Sequence, residues 1–275
     1  MNQEKRYPTA LTIAGSDSGG GAGIQADLKT FSAIGVFGAS VITAITAQNT
    51  REVRAVEVLP PALIRLQLEA VLDDIAVDVV KTGMLPDVPA IEQVASVIDR
   101  YGLKEVVVDP VMVATSGARL SSAATAGAFR ELLYARLSLL TPNVPETEAL
   151  TGIPIGGEKE MYKAGELLLR QGCRAVLIKG GHLKGERASD TLFSDNRPPV
   201  VFSSEYVETW NLHGTGCTLA SAIAAYRALG REWEEAVGLA KTYIAQAIRA
   251  GVGVCTGRGH GPVNHFFHPE VLQPK

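Results

Sequence analysis

The feature that most constrains this chain is its alternation of short apolar runs with longer segments of helical spacing. Ala10–Ala14 is an apolar run, after which Ile24, Leu28, Phe31 and Ile34 recur at helical spacing. Val41–Ala47 is rich in β-branched residues, and Leu63–Ile75 is amphipathic behind Pro61, a residue favoured in a first helical turn. Further strands are predicted at Val77–Lys81, Val106–Asp109, Leu139–Thr141 and Ala175–Lys179. Helices are predicted at Ile91–Ile98, at Thr125–Leu137 with Ser121 or Ser122 as cap, at Met161–Arg170, and near Gly216–Leu229 and Trp233–Arg249. Strands that lack polar alternation are covered on both faces, so the pattern predicts a mostly parallel sheet between helical layers. Asp190–Phe193 and Val200–Val207 flank Asn196–Pro199 and predict an antiparallel hairpin at a sheet edge. With no repeat, low-complexity tract or linker, one α/β domain over residues 1–275 is the economical expectation.

Composition removes several function classes. Lys plus Arg number 26 against 29 for Asp plus Glu, so no basic excess points to a nucleic acid or an anionic membrane. The stretch from Thr30 to Thr50 carries no charge, but it holds Ser32, Thr43, Thr46, Gln48 and Asn49. It reads as a helix end, a turn and a buried strand, because a membrane span needs about 20 predominantly apolar residues. The apolar run after Lys5 and Arg6 ends by Asp17, too soon for a secretory signal. Cys173, Cys217 and Cys255 are too widely spaced for a CxxC motif and odd in number, which fits a reducing compartment.

In such sheets, ligands sit outside the carboxyl ends of the strands. The residues there are Gly15-Ser16-Asp17, Gln48-Asn49, Lys81-Thr82-Gly83, Asp109-Pro110, Thr141-Pro142-Asn143 and Lys179-Gly180-Gly181, and they predict one polar crevice. The strongest motif is His213-Gly-Thr-Gly-Cys-Thr218, directly before an Ala-rich helix. Free amides at a helix start converge on an anion, while the bland reading is a plain glycine turn. No GxxxxGK[ST] or GxGxxG occurs. The cluster Gly15 to Gly23 could cradle a phosphate or form a mobile loop, and the residues favour neither. Asp109, Asn143 and Glu146 offer hard oxygens for Mg²⁺, with helix capping by Asn143 and Glu146 as the alternative. Lys179 could hold a transferring phosphoryl group or snorkel to the surface. His260, His265 and His268 fit no metal-binding spacing, and Trp210 and Trp233 read as core or interface aromatics.

Taken in order, Ala14–Lys29, Thr46–Thr50, Lys81–Met84, Asp109–Met112, Thr141–Glu146, Lys179–His182, His213–Thr218 and Gly259–Pro262 resemble the hydroxymethylpyrimidine and phosphomethylpyrimidine kinases of thiamine biosynthesis, within the ribokinase-like superfamily. The resemblance covers nearly the whole chain and leaves no room in it for a fused thiamine phosphate synthase. It implies a ribokinase-like three-layer sandwich, ATP and Mg²⁺ as cofactors, two successive phosphoryl transfers, and a cytoplasmic homodimer. By resemblance, Gln48 binds the pyrimidine, with Gly15, Asp27, Met84 and Val111 around it. Asp109 and Glu146 match positions near the metal. Lys179, Thr215 and Asn143 match positions near the ATP phosphates. Gly214, Gly216 and Cys217 match the anion hole and catalytic position. The residue chemistry agrees at Gln48, since a primary amide offers the acceptor and donor that complement an aminopyrimidine edge. A pyridoxal or pyridoxine kinase of the same superfamily is the alternative reading. A non-catalytic binding module is a third, opposed by the intact Gly214–Cys217 run with Asp109, Glu146 and Lys179.

Overall fold

The computed structural model describes residues 5–112, 123–181 and 187–275. Its elements run β1 (Thr9–Asp17), α1 (Gly23–Ala33), β2 (Phe37–Gln48), β3 (Val53–Val58), α2 (Pro61–Leu72), β4 (Val79–Thr82), α3 (Val88–Tyr101) and β5 (Val106–Val108). Then come α4 (Ala123–Ala128), continued by a π-helical turn over Phe129–Leu133, β6 (Leu139–Leu140), α5 (Val144–Thr151), α6 (Glu158–Arg170) and β7 (Ala175–Lys179). The chain closes with β8 (Arg187–Ser194), β9 (Val200–Glu205), α7 (Thr215–Ala228) and α8 (Trp233–Ala250). The proposed caps Ser121 and Ser122, and His182 of the lysine motif, lie outside the described residues.

The strands form one nine-stranded sheet in the order β3-β2-β1-β4-β5-β6-β7-β8-β9. From β2 to β7 all pairings are parallel, while β3 joins β2, β8 joins β7 and β9 joins β8 antiparallel. The predicted hairpin is therefore β8–β9, at the edge expected for it. The opposite edge strand, β3, is a departure from the sequence reading.

Side chains alternate across each central strand, and this divides the core in two. Val80, Val106, Val108, Leu140, Val176 and Ile178 pack with Ile64, Ile91, Val94, Phe129 and Leu168 of one helical layer. Val79, Val107, Leu139 and Leu177 face the other way, onto Phe31 of α1, Ile223 of α7 and Ile244 of α8. The result is a three-layer α/β sandwich, as expected. Ala220, Ala222, Ala224 and Ala225 of α7 are all fully buried, so small side chains let this helix lie close against the sheet. The uncharged Thr30–Thr50 stretch is the end of α1, a turn and β2. Among the described residues no helix is long and apolar enough to cross a membrane.

Candidate active site

The carboxyl ends of the parallel strands open into a cleft of about 1200 Å³. Pockets for a single drug-sized ligand are about 300–1,000 Å³, so this cleft is larger than one such ligand needs. Gly15, Gln48, Met84 and Val111 line the same cleft. A Cβ on Gly15 would come within 3.2 Å of the Met84 sulfur, so the glycine lets that thioether cover the cleft floor. Gln48 Oε1 accepts from Thr46 Oγ1 at 3.1 Å, and its Nε2 lies 3.4 Å from His213 Nε2.

Asp27 corrects the expectation of a pyrimidine contact. It is fully buried beneath the cleft, where both oxygens pair with Lys81 Nζ at 2.8 and 2.9 Å. Thr12 and Ser221 each donate to it at 2.6 Å. Burial opposes the charge on Lys81, but the adjoining Asp27 carboxylate outweighs it and raises the ammonium pKa. Such a pair, fully hydrogen-bonded, is a structural element under the site.

At the centre, Lys179 Nζ is 2.7 Å from Asp109 Oδ1 and 3.8 Å from Glu146 Oε2. The snorkelling alternative is excluded, because the lysine side chain is only 12 % exposed. Burial disfavours its charge, yet Asp109 and Glu146 hold the ammonium above its ordinary value. Burial pushes the Glu146 carboxyl up to about 7, with the nearby Asp109 charge adding to the shift. The capping alternative also holds. Asn143 Oδ1 accepts from the Glu146 amide at 2.9 Å, and Glu146 Oε2 accepts from the Asn143 amide at 2.7 Å, a reciprocal capping box on α5.

No group of three or more His, Cys, Asp or Glu residues that could hold a metal ion occurs among the described residues. Asp109 and Glu146 nevertheless fit Mg²⁺. Both are hard oxygen donors, and Asp109 directs Oδ1 at Lys179 and Thr141 while Oδ2 faces the start of α7. Mg²⁺ typically takes one or two carboxylates and completes its shell with water and phosphate oxygens.

The start of α7 closes this region. Gly214 is its N-cap at φ +79°, and a Cβ there would collide with the carbonyl oxygen of Gly21. The amides of Gly216 and Cys217 donate to no backbone acceptor among the described residues, whereas Thr215 donates to Leu212. A Cβ on Gly216 would sit 3.3 Å from Lys179 Nζ, so the glycine lets the ammonium approach the helix start. A helix N-terminus lowers the pKa of a nearby thiol, but at Cys217 burial dominates and pushes the thiol up to about 11, with Lys81 acting in the opposite direction.

The Gly15–Gly23 loop is not an open phosphate cradle. Asp17 occupies it, accepting from the amides of Gly19, Gly21 and Ala22. Asp17 also meets His213 Nε2 at 2.9 Å. No sequence signal marks this pair, since 196 positions separate the partners. Beyond Lys179 the cleft runs on between β8, β9, α7 and α8, past Ala188, Val207, Leu212, Leu219, Ile244 and Ile248. Lys241 pairs there with Asp190 at 2.7 Å.

The tail histidines form no metal site among the described residues. His265 Nε2 meets Thr218 Oγ1 at 3.0 Å, and burial lowers its pKa to about 4. His260 lies beside Trp210, and His268 is exposed near Glu270. Trp210 is no core aromatic, being 77 % exposed, whereas Trp233 packs under the Arg227 guanidinium. All three cysteines are free.

The model of the phosphomethylpyrimidine kinase family matches residues 17–264. A hydroxymethylpyrimidine/phosphomethylpyrimidine kinase of Rhizobium meliloti is 53% identical over 94% of this chain and 96% of its own length. A thiamine biosynthesis bifunctional protein of Geobacter sulfurreducens is 49% identical over 100% of this chain, which spans 56% of that longer protein. Among solved structures, a Bacillus subtilis pyridoxal kinase in complex with ADP superposes with a TM-score of 0.87 at 39% identity, covering 94% of this chain and 98% of that one. Motif order, sheet topology and the glycine-framed helix start agree with these similarities, and the chain belongs to the phosphomethylpyrimidine kinase family.

Proposed function

We propose that this chain transfers the terminal phosphoryl group of ATP to the hydroxyl of 4-amino-5-hydroxymethyl-2-methylpyrimidine, and then a second one to the monophosphate, in thiamine biosynthesis. The observation that carries this reading is the convergence of Lys179, Asp109, Glu146 and the glycine-framed start of α7 on one cleft at the carboxyl ends of the strands. The pyrimidine occupies the Gln48 end and the nucleotide base the apolar end between Leu219 and Ile248. Phosphoryl transfer passes through a loose transition state whose charge spreads over the equatorial oxygens, so catalysis is positioning plus electrostatic stabilisation. The Gly216 and Cys217 amides and Lys179 supply that stabilisation, and Asn143 and Thr215 border the phosphate path. Mg²⁺, held by Asp109 and Glu146, would neutralise charge on the phosphates. A loose transition state asks little of a base, which agrees with a neutral Cys217 thiol. Residues 1–275 act as one kinase domain, a reading supported by the single sheet that runs from residue 9 to residue 205. A cytoplasmic homodimer completes the proposal, supported by the free cysteines and by exposed Ile45, Val56, Leu63 and Leu66. Sedimentation in solution tests the dimer.

Gln48→Leu tests the orientation of the pyrimidine. Unpaired buried polar groups cost about 1–3 kcal/mol each, so the variant is expected to raise the pyrimidine KM roughly 10- to 100-fold with the ATP KM unchanged. An unchanged pyrimidine KM removes Gln48 from the site.

A further inference from the structure

The Asp17 carboxylate is 4 % exposed and takes no part in the transfer chemistry described above, yet four N–H groups converge on it. Oδ1 accepts from the Gly19 amide at 2.8 Å, and Oδ2 from the amides of Gly21 and Ala22 at 3.1 and 2.9 Å. His213 Nε2 lies 2.9 Å from Oδ2, and a carboxylate acceptor there fixes the ring proton on Nε2. Burial opposes ionisation, but His213 and the loop amides outweigh it and hold the carboxyl below its ordinary range. A loop of convergent amides suits an anion, and here the anion is a side chain of the same loop.

The charge also joins two segments far apart in sequence. The His213 ring lies directly against Gly21, where any Cβ would collide with it, and Gly214 packs on the Gly21 carbonyl. His213 immediately precedes the Gly214 N-cap of α7, so the position of its ring bears on the first turn of that helix. The same Nε2 lies 3.4 Å from the amide nitrogen of Gln48, a packing contact between two donors, since the Gln48 oxygen is held by Thr46. We propose that Asp17 is a positioning residue for phosphoryl transfer, which through His213 holds the anion hole of Gly214, Gly216 and Cys217 in register with the pyrimidine at Gln48. The inference rests on the kinase reading. Its force comes from geometry, since an error of 1 Å in the placement of reacting groups costs about 10²-fold in rate.

The test compares the wild-type chain with Asp17→Asn, His213→Gln and the double variant. kcat per titrated active site, KM for both substrates and thermal unfolding are measured with hydroxymethylpyrimidine and ATP. Asn keeps the shape of Asp but turns one acceptor into a donor facing the loop amides. Each single variant is expected to lose at least about 30-fold in kcat and to raise the pyrimidine KM, with the ATP KM within about 3-fold of wild type. The double variant is expected to be no slower than about 3-fold below the slower single one, because both changes break the same linkage. A folded Asp17→Asn enzyme with near wild-type kcat overturns the proposal, and so do losses that multiply in the double variant. A purely structural role lowers the melting temperature while leaving kcat per active site and the pyrimidine KM in place. Should Asp17→Asn not fold, His213→Gln decides alone, since it leaves the three amide contacts of Asp17 intact: lost kcat supports the linkage and retained kcat rejects it. A wild-type chain that never phosphorylates the pyrimidine contradicts the kinase reading instead, so the two failures are distinct.

Discussion

Burial pushes the Glu146 carboxyl up to about 7, from 4.5 for the same group in an unfolded chain. Between those values the folded state binds the extra proton, so stability falls as pH rises through that window. A neutral amide at this position can still accept from Asn143. Glu146→Gln is therefore expected to raise the melting temperature at pH 8, leave it unchanged at pH 5, and raise the Mg²⁺ concentration needed for half-maximal rate. A lower melting temperature at pH 8 with unchanged Mg²⁺ dependence would make Glu146 a cap alone. Cys217 supplies a second test at this scale. With its thiol at about 11, kcat for the alcohol is expected to stay flat between pH 7 and 9. A thiolate acting as base would instead raise the rate nearly tenfold per pH unit. A neutral group also admits an anionic phosphate, where an aspartate would repel it in a poorly screened site. Cys217→Asp is accordingly expected to slow the monophosphate step far more than the alcohol step, and equal losses reject that role. Lys179, Asp109 and Glu146 were legible in the sequence because each follows an apolar strand at the sheet's carboxyl edge. Asp27 entered only through the resemblance, and its position on α1 turns it toward Lys81. Asp17 with His213 was illegible because only the folded chain brings the two loops together.

At the scale of elements, the critical one is the start of α7. Gly214 sits at φ +79° against the Gly21 carbonyl, so Gly214→Ala suffers both a left-handed backbone and a collision. The left-handed conformation alone costs about 1–2 kcal/mol for a residue with a Cβ. The variant is expected to melt lower than wild type and to lose at least about 100-fold in kcat, since the amides of the hole shift with the turn. Full activity in Gly214→Ala would show that this helix start only turns the chain. The central strands were legible because Val106–Val108, Leu139–Leu140 and Ala175–Lys179 are nearly continuous apolar runs, buried on both faces. β3 escaped notice because Arg54 and Glu57 interrupt it and five of its six residues are exposed, as suits an edge strand. The π-helical turn at Phe129–Leu133 was read as plain helix, since its apolar spacing is that of the helix it continues.

For the whole molecule, the parallel core fixes where the cleft lies, and the antiparallel β8–β9 hairpin contributes Ala188, Asp190, Ser204 and Glu205 to its lining. The alternation of strands and helices made that architecture readable in advance. The length of the cleft was not readable, because it depends on how α7, α8 and the β8–β9 hairpin pack beyond Lys179. The similarity to both pyrimidine and pyridoxal kinases makes the choice of alcohol the decisive question. The most direct measurement is mass spectrometry of the products formed from equal concentrations of hydroxymethylpyrimidine and pyridoxal with ATP and Mg²⁺. The account predicts the pyrimidine monophosphate first and its diphosphate after it, with pyridoxal phosphate a minor product. Pyridoxal phosphate as the main product, or a pyrimidine that stops at the monophosphate, would contradict it.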